Sequence, residues 1–192
     1  FPFESYRLIK YDILSGDFGT SYDDVPYFRL ADAMMMKAEC LLRLGQNEDV
    51  AAELVSKVRA RNFKANPEKA VVTAAYLKGG SKYNYGHRED RGKDVNSHDW
   101  VITEEGGADI EFGGLLDEYA KEFVCEAHRR DELIRFNIKG TNMNVYNGKS
   151  WFCKDKVDNR DGDLFPIPKT ALKGNLKLKQ NPGYDGLTSG EK

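Results

Sequence analysis

DVPYFRLADAMMMKAECLLRLGQNEDVAAELVSKVRAR, residues 24–61, spells two helices joined by a tight turn. Asp24 offers an N-cap, and Pro26 fits a first helical turn, where a missing N–H costs nothing and the ring presets φ. Leu30, Ala31, Met34, Met35, Ala38, Leu41 and Leu42 then recur at three- and four-residue spacing, which predicts one buried face. Gly45 supplies the left-handed exit that ends this helix near Leu44. Asn47 is placed to cap a second helix with Val50, Leu54, Val55 and Val58 on one face, and a turn this short forces the two helices antiparallel.

The hairpin resembles one tetratricopeptide-type unit, with Leu44-Gly45 where such repeats end their first helix and Ala51 and Leu54 at packing positions. A lone unit cannot bury both faces, so other elements or further chain must cover it. Two later stretches extend the pattern: LLDEYAKEFVCEAHRRDELIRF at residues 115–136, read as a third amphipathic helix, and LFPIPKTALKGNLKLKQNPGY at residues 164–184. Tyr11-Asp12, the run Pro26-Tyr27-Phe28-Arg29-Leu30-Ala31-Asp32, Glu126-Ala127-His128-Arg129-Arg130 and Phe165-Pro166-Ile167-Pro168 together resemble the C-terminal part of SusD/RagB-type proteins. That resemblance implies a mainly α, SusD-like fold: a tetratricopeptide-like hairpin plus further helices with long irregular loops. It also implies a glycan-binding lipoprotein on the outer surface of the outer membrane in Bacteroidetes-type bacteria. Such a protein presents oligosaccharide to a SusC-like TonB-dependent transporter, and its membrane contact runs through an N-terminal lipid that this chain does not carry. Residues 1–186 are then expected to form the C-terminal part of a SusD-like domain, with an insert at 62–114 and a disordered tail at 187–192.

With 192 residues the chain can bury one sizeable core, and its net charge of −2 gives no field that would recruit nucleic acid or an anionic membrane. No apolar run approaches the roughly 20 residues that span a bilayer. Three cysteines, Cys40, Cys125 and Cys153, lack metal-ligand spacing. Cys40 and Cys125 fall inside helical stripes and read as small buried thiols.

Residues 62–114 are too long for an ordinary connection. Pro67 could open a short helix running to about Leu77, and the rest reads as loop. Within it Tyr83, Tyr85, His87 and Trp100 stand among charges, and Trp151 stands in a second polar, glycine-rich stretch. A pyranose lays its C–H face on an aromatic ring while its hydroxyls need polar rims, so these five are the candidate glycan-binding residues. The competing reading is that the rings fold back over the helices. In the third helix Leu115, Leu116, Tyr119, Phe123 and Ala127 mark the apolar face, and Asp117, Glu118, Lys121 and Glu122 a solvated one. Glu126-Ala127-His128-Arg129-Arg130-Asp131 reads as an ion-pair network bracing neighbouring elements rather than a catalytic cluster. The prolines at 166 and 168 predict an extended segment, followed by a short helical turn after Lys169.

Asp155, Asp158, Asn159, Asp161 and Asp163 surround Gly162 as in a calcium loop, but the register puts Val157 at the first ligand position and Pro168 where a bidentate Glu is needed. His87, Asp94, His98 and Asp99 lack the spacing that would hold zinc. No phosphate loop or nucleophile elbow is present. The expectation is a binding protein with no catalytic residues, metal or cofactor. A non-catalytic helical scaffold for protein partners is the alternative, and a polysaccharide-degrading enzyme the third reading.

Overall fold

The computed structural model describes residues 10, 26–85, 88–90, 100–102, 106–148, 160–161, 163–175 and 177–184, with backbone alone for 88–90, 100–102 and 147–148. Asp24, the candidate calcium loop around Asp155–Asn159 and the tail at 187–192 lie outside the described residues. The described chain is mainly α, with helices α1 (Leu30–Leu44), α2 (Glu48–Ala60), α3 (Ala74–Lys78), α4 (Gly113–Glu122), α5 (Arg129–Arg135), α6 (Val145–Gly148) and α7 (Lys169–Gly174). Two three-residue strands, β1 (Arg88–Asp90) and β2 (Trp100–Ile102), pair antiparallel with Arg88 opposite Ile102. The chain divides into two compact units, one of residues 1–80 and 112–132, the other of 81–111 and 133–192.

The first unit is built on the α1–α2 hairpin. Arg29 is the extended residue before α1; its N–H donates to Asp32 Oδ2 at 2.9 Å, so the helix begins four residues after Pro26. At the other end Gly45, at φ 64°, donates to Leu42 O while Gln46 donates to Leu41 O, a Schellman pair that satisfies two otherwise orphaned carbonyls. Asn47 does sit at the start of α2, but in the left-handed region (φ 48°) and without a side-chain cap. Ala31, Met35, Ala38, Leu42, Ala51, Val55 and Val58 are buried as the periodicity predicts, whereas Leu30 and Val50 are exposed.

Between the hairpin and α4 the expected helix from Pro67 to Leu77 is split. A 3-10 turn occupies Pro67–Ala70, and Thr73 then caps α3 through its hydroxyl, which accepts from the Tyr76 N–H. Here α3 and α4 touch backbone to backbone: Gly114 N–H donates to Gly79 O at 3.1 Å, and a Cβ on Gly114 would lie 2.1 Å from Tyr76 O. Only glycine tolerates that approach.

The expected single helix over 115–136 is two. α4 stops at Glu122, and Cys125 and Ala127 both take left-handed φ (61° and 62°) before α5 begins. The break turns Ala127 outward and exposes Cys125; Cys40 is exposed as well, so neither is the buried thiol expected. Leu115, Leu116, Tyr119 and Phe123 are buried as expected. Of the supposed solvated face only Lys121 is exposed: Asp117, Glu118 and Glu122 are buried, the two glutamates because cations from distant parts of the chain reach them.

In the second unit Ile110 pairs with Ile138 and Asn137 with Asn144 through isolated antiparallel bridges, and Phe136, Ile138 and Val145 are buried. The extended Phe165–Pro168 stretch is held by a side chain imitating a strand: Gln180 Oε1 accepts from Ile167 N–H at 2.7 Å and its Nε2 donates to Ile167 O at 3.0 Å. The short helix expected after Lys169 is α7.

Candidate functional site

Along α4 and its continuation three glutamates, Glu118, Glu122 and Glu126, follow one another at four-residue spacing, and each is shared by two cations. Glu118 takes Arg59 at 2.5 Å and Lys121 at 2.7 Å. Glu122 takes Arg29 at 2.5 Å and also Arg61. Glu126 takes Arg29 at 2.7 Å and Lys10 at 2.7 Å. The glutamate side chains are 2–7% exposed, so these are desolvated pairs whose worth depends on complete pairing. Arg29 is the centre, bonding both Glu122 and Glu126 and lying 4.8 Å over the Phe123 ring.

The titration behaviour follows from this sharing. Hydrogen bonding to Glu126, then to Glu122, drives Arg29 further above its ordinary value against the pull of burial. Burial alone would raise Glu118 and Glu126, but bonds from Lys121 and Arg59 in one case and from Arg29 and Lys10 in the other hold both below the ordinary carboxylate range. Tyr76, whose hydroxyl donates to Glu118 Oε1 at 2.9 Å, is pushed up to about 12 by burial and then by that carboxylate.

Beside the glutamate row lies a cleft of two parts that share lining residues. One, of about 250 Å³, is floored by Met35, Val55, Val58 and Phe63. The other, of about 360 Å³, is rimmed by Lys10, Arg29, Arg61 and Asn62, and Asn62, Lys121 and Glu122 line both. Of the cluster expected to brace neighbouring elements, Glu126 makes the ion pairs above, Arg129 Nη1 reaches Glu132 at 3.1 Å and Leu116 O at 3.3 Å, and His128 Nε2 stands 3.7 Å from Asp32.

The aromatic candidates fall differently. Tyr83 is 54% exposed, its ring open to solvent. Tyr85 is buried: its Cδ2 would lie 2.9 Å from a Cβ placed on Gly107, so this ring packs on a glycine instead of presenting a face. Trp100 begins β2 and is described by its backbone alone, and His87 and Trp151 lie outside the described residues. Of the five, Tyr83 and Tyr85 are the two whose side chains are described, one exposed and one buried. The cleft cations Arg29, Arg59 and Arg61 were not singled out from sequence, and the four-residue glutamate spacing is the signal that could have found their partners. No group of side chains suited to a metal ion occurs among the described residues, and no described helix is long and apolar enough to cross a membrane.

The SusD family profile matches residues 4–184, and the chain belongs to that family. It is also similar to the starch-binding protein SusD of Bacteroides thetaiotaomicron, 27% identical over 161 residues that make up 84% of this chain and 22% of that protein. The chain thus spans less than a quarter of the length of the curated relative it matches. No solved structure matches it.

Proposed function

We propose that this chain is part of a glycan-binding component of an outer-membrane nutrient-uptake system, presenting oligosaccharide to a SusC-like TonB-dependent transporter. The observation that carries this reading is the family match across residues 4–184, supported by the likeness to a starch-binding protein. The assembly faces the cell exterior, held at the outer membrane by a lipid. The part played here is binding without catalysis. Glycoside cleavage needs one carboxyl group kept protonated, with a raised pKa, and Glu118 and Glu126 are both shifted the other way by their cations. Of the candidate rings whose side chains are described, Tyr83 is the exposed one, flanked by the hydroxyl of Ser81, which accepts the Tyr83 N–H at 3.1 Å, and it is the one offered to a sugar.

The test is migration of the purified chain in native gels cast with starch and with a panel of plant, host and microbial polysaccharides, beside a non-binding control protein. Retardation on one glycan, relieved in Tyr83→Ala or Trp100→Ala, is the expected result. Equal mobility in every gel overturns the assignment of a working glycan site to these residues.

A further inference from the structure

We infer that the cleft beside the glutamate row is a subsite for an acidic sugar residue, one bearing a carboxylate or a sulfate; this rests on the glycan-binding reading above. Five cationic side chains line its two parts against three glutamates, in a chain whose net charge is −2. Because each glutamate serves two cations, positive charge is in excess along the row, and the excess sits at the mouth: the side chains of Arg61 and Lys121 are 57% and 41% exposed, against 2–7% for the glutamates they bond. Arg61 spends Nη2 on Glu122 and Nε on Val58 O at 3.3 Å, which leaves Nη1 with no partner among the described residues. The Asn62 side chain, which lines the same part of the cleft, has none there either, so a guanidinium edge and an amide donor are both available to an anionic ligand.

The rest of the cleft suits the remainder of a sugar. Phe63, half-buried over the core residues Met35 and Val58, gives an apolar wall for a ring's C–H face. At about 250 Å³ the floored part is smaller than the roughly 300–1,000 Å³ of drug-sized sites, which fits one pyranose and not a longer chain. Neutral sugars can accept hydrogen bonds at the mouth but gain no charge assistance there, so the discrimination is electrostatic and weakens with added salt.

The measurement is a ¹⁵N NMR titration of the whole chain with trigalacturonate, with a sulfated disaccharide and with maltotriose. Shifts at the Asn62 amides with either acidic ligand, and not with maltotriose, are expected, and comparing the two acidic ligands separates carboxylate from sulfate. Arg61→Gln should weaken the acidic ligand about tenfold, the loss of one charge-assisted hydrogen bond. Asn62→Asp, which sets a like charge at the mouth without removing an ion pair, should weaken it similarly in a chain that stays folded. Absence of shifts at Asn62 with both acidic ligands, or affinity unchanged in both variants, overturns the inference. Maltotriose shifts elsewhere in the chain under that outcome would leave the broader glycan reading standing.

Discussion

Replacing Arg29 by Met removes the cation shared by Glu122 and Glu126 while keeping the length and much of the apolar stem. Both glutamates are nearly inaccessible, at 7% and 2% exposure, so neither recovers full hydration when the guanidinium goes. Breaking a buried pair by deleting one partner costs about 3–5 kcal/mol. Lys10 and Arg61 still reach the two carboxylates, so the lower end, about 3 kcal/mol, is expected here. For a domain of this size that is a fall in Tm of about 6–12 °C at neutral pH, read by calorimetry or circular dichroism. The pH dependence has a definite sign. Glu126 is held below its ordinary value in the folded chain, so its contribution is fully present above the unfolded value of about 4.3 and is lost as pH falls through the lower folded value. The gap between wild type and Arg29→Met should therefore narrow in melts below about pH 4. Lys57→Met, which removes only the exposed pair with Glu53, should leave Tm unchanged and serves as the control. A fall of under about 2 °C for Arg29→Met, or a gap that stays constant into acid, would refute the view that Arg29 organises the glutamate row.

Gly114→Ala should lower stability by about 2 kcal/mol or more in chemical denaturation, since its Cβ would overlap the Tyr76 carbonyl and α3 and α4 would have to part; a neutral result would mean the two helices are not in backbone contact. Glu118→Gln should bring the Tyr76 hydroxyl down from about 12 toward its ordinary value of 10.0, without reaching it because burial remains, as seen in ultraviolet difference titration against Tyr76→Phe. Cys40 and Cys125 should both react with a thiol reagent in the native protein, at rates close to those in denaturant; protection of either would place it inside a packed face.

The hairpin was legible because its signals are local. A glycine at the exit, helix-period apolar residues and a turn too short to allow anything but reversal all lie within a few residues of where they act. The break after α4 was not legible, because the left-handed positions are held by Cys125 and Ala127, residue types that carry no preference for that conformation. Nothing in the local sequence marks it. The solvated face assigned to α4 was misread for a different reason: periodicity treats a charge as a request for water, and Glu118 and Glu122 are answered by Arg29, Arg59 and Arg61, which lie about sixty to ninety residues earlier. Among the aromatic candidates, the sequence could show that rings interrupt a polar stretch, but Tyr83 outward and Tyr85 inward is decided by the contact with Gly107.

The hydrogen bond from Gly114 to Gly79 pins together the two points where the chain leaves and re-enters the helical unit. A segment whose ends already meet can change length cheaply, since each doubling of a flexible loop adds only about 0.6 kcal/mol to closure. Length changes between these glycines therefore leave the closure of the helical unit almost untouched, and their cost falls on the second unit, where Ile110 is buried and paired with Ile138.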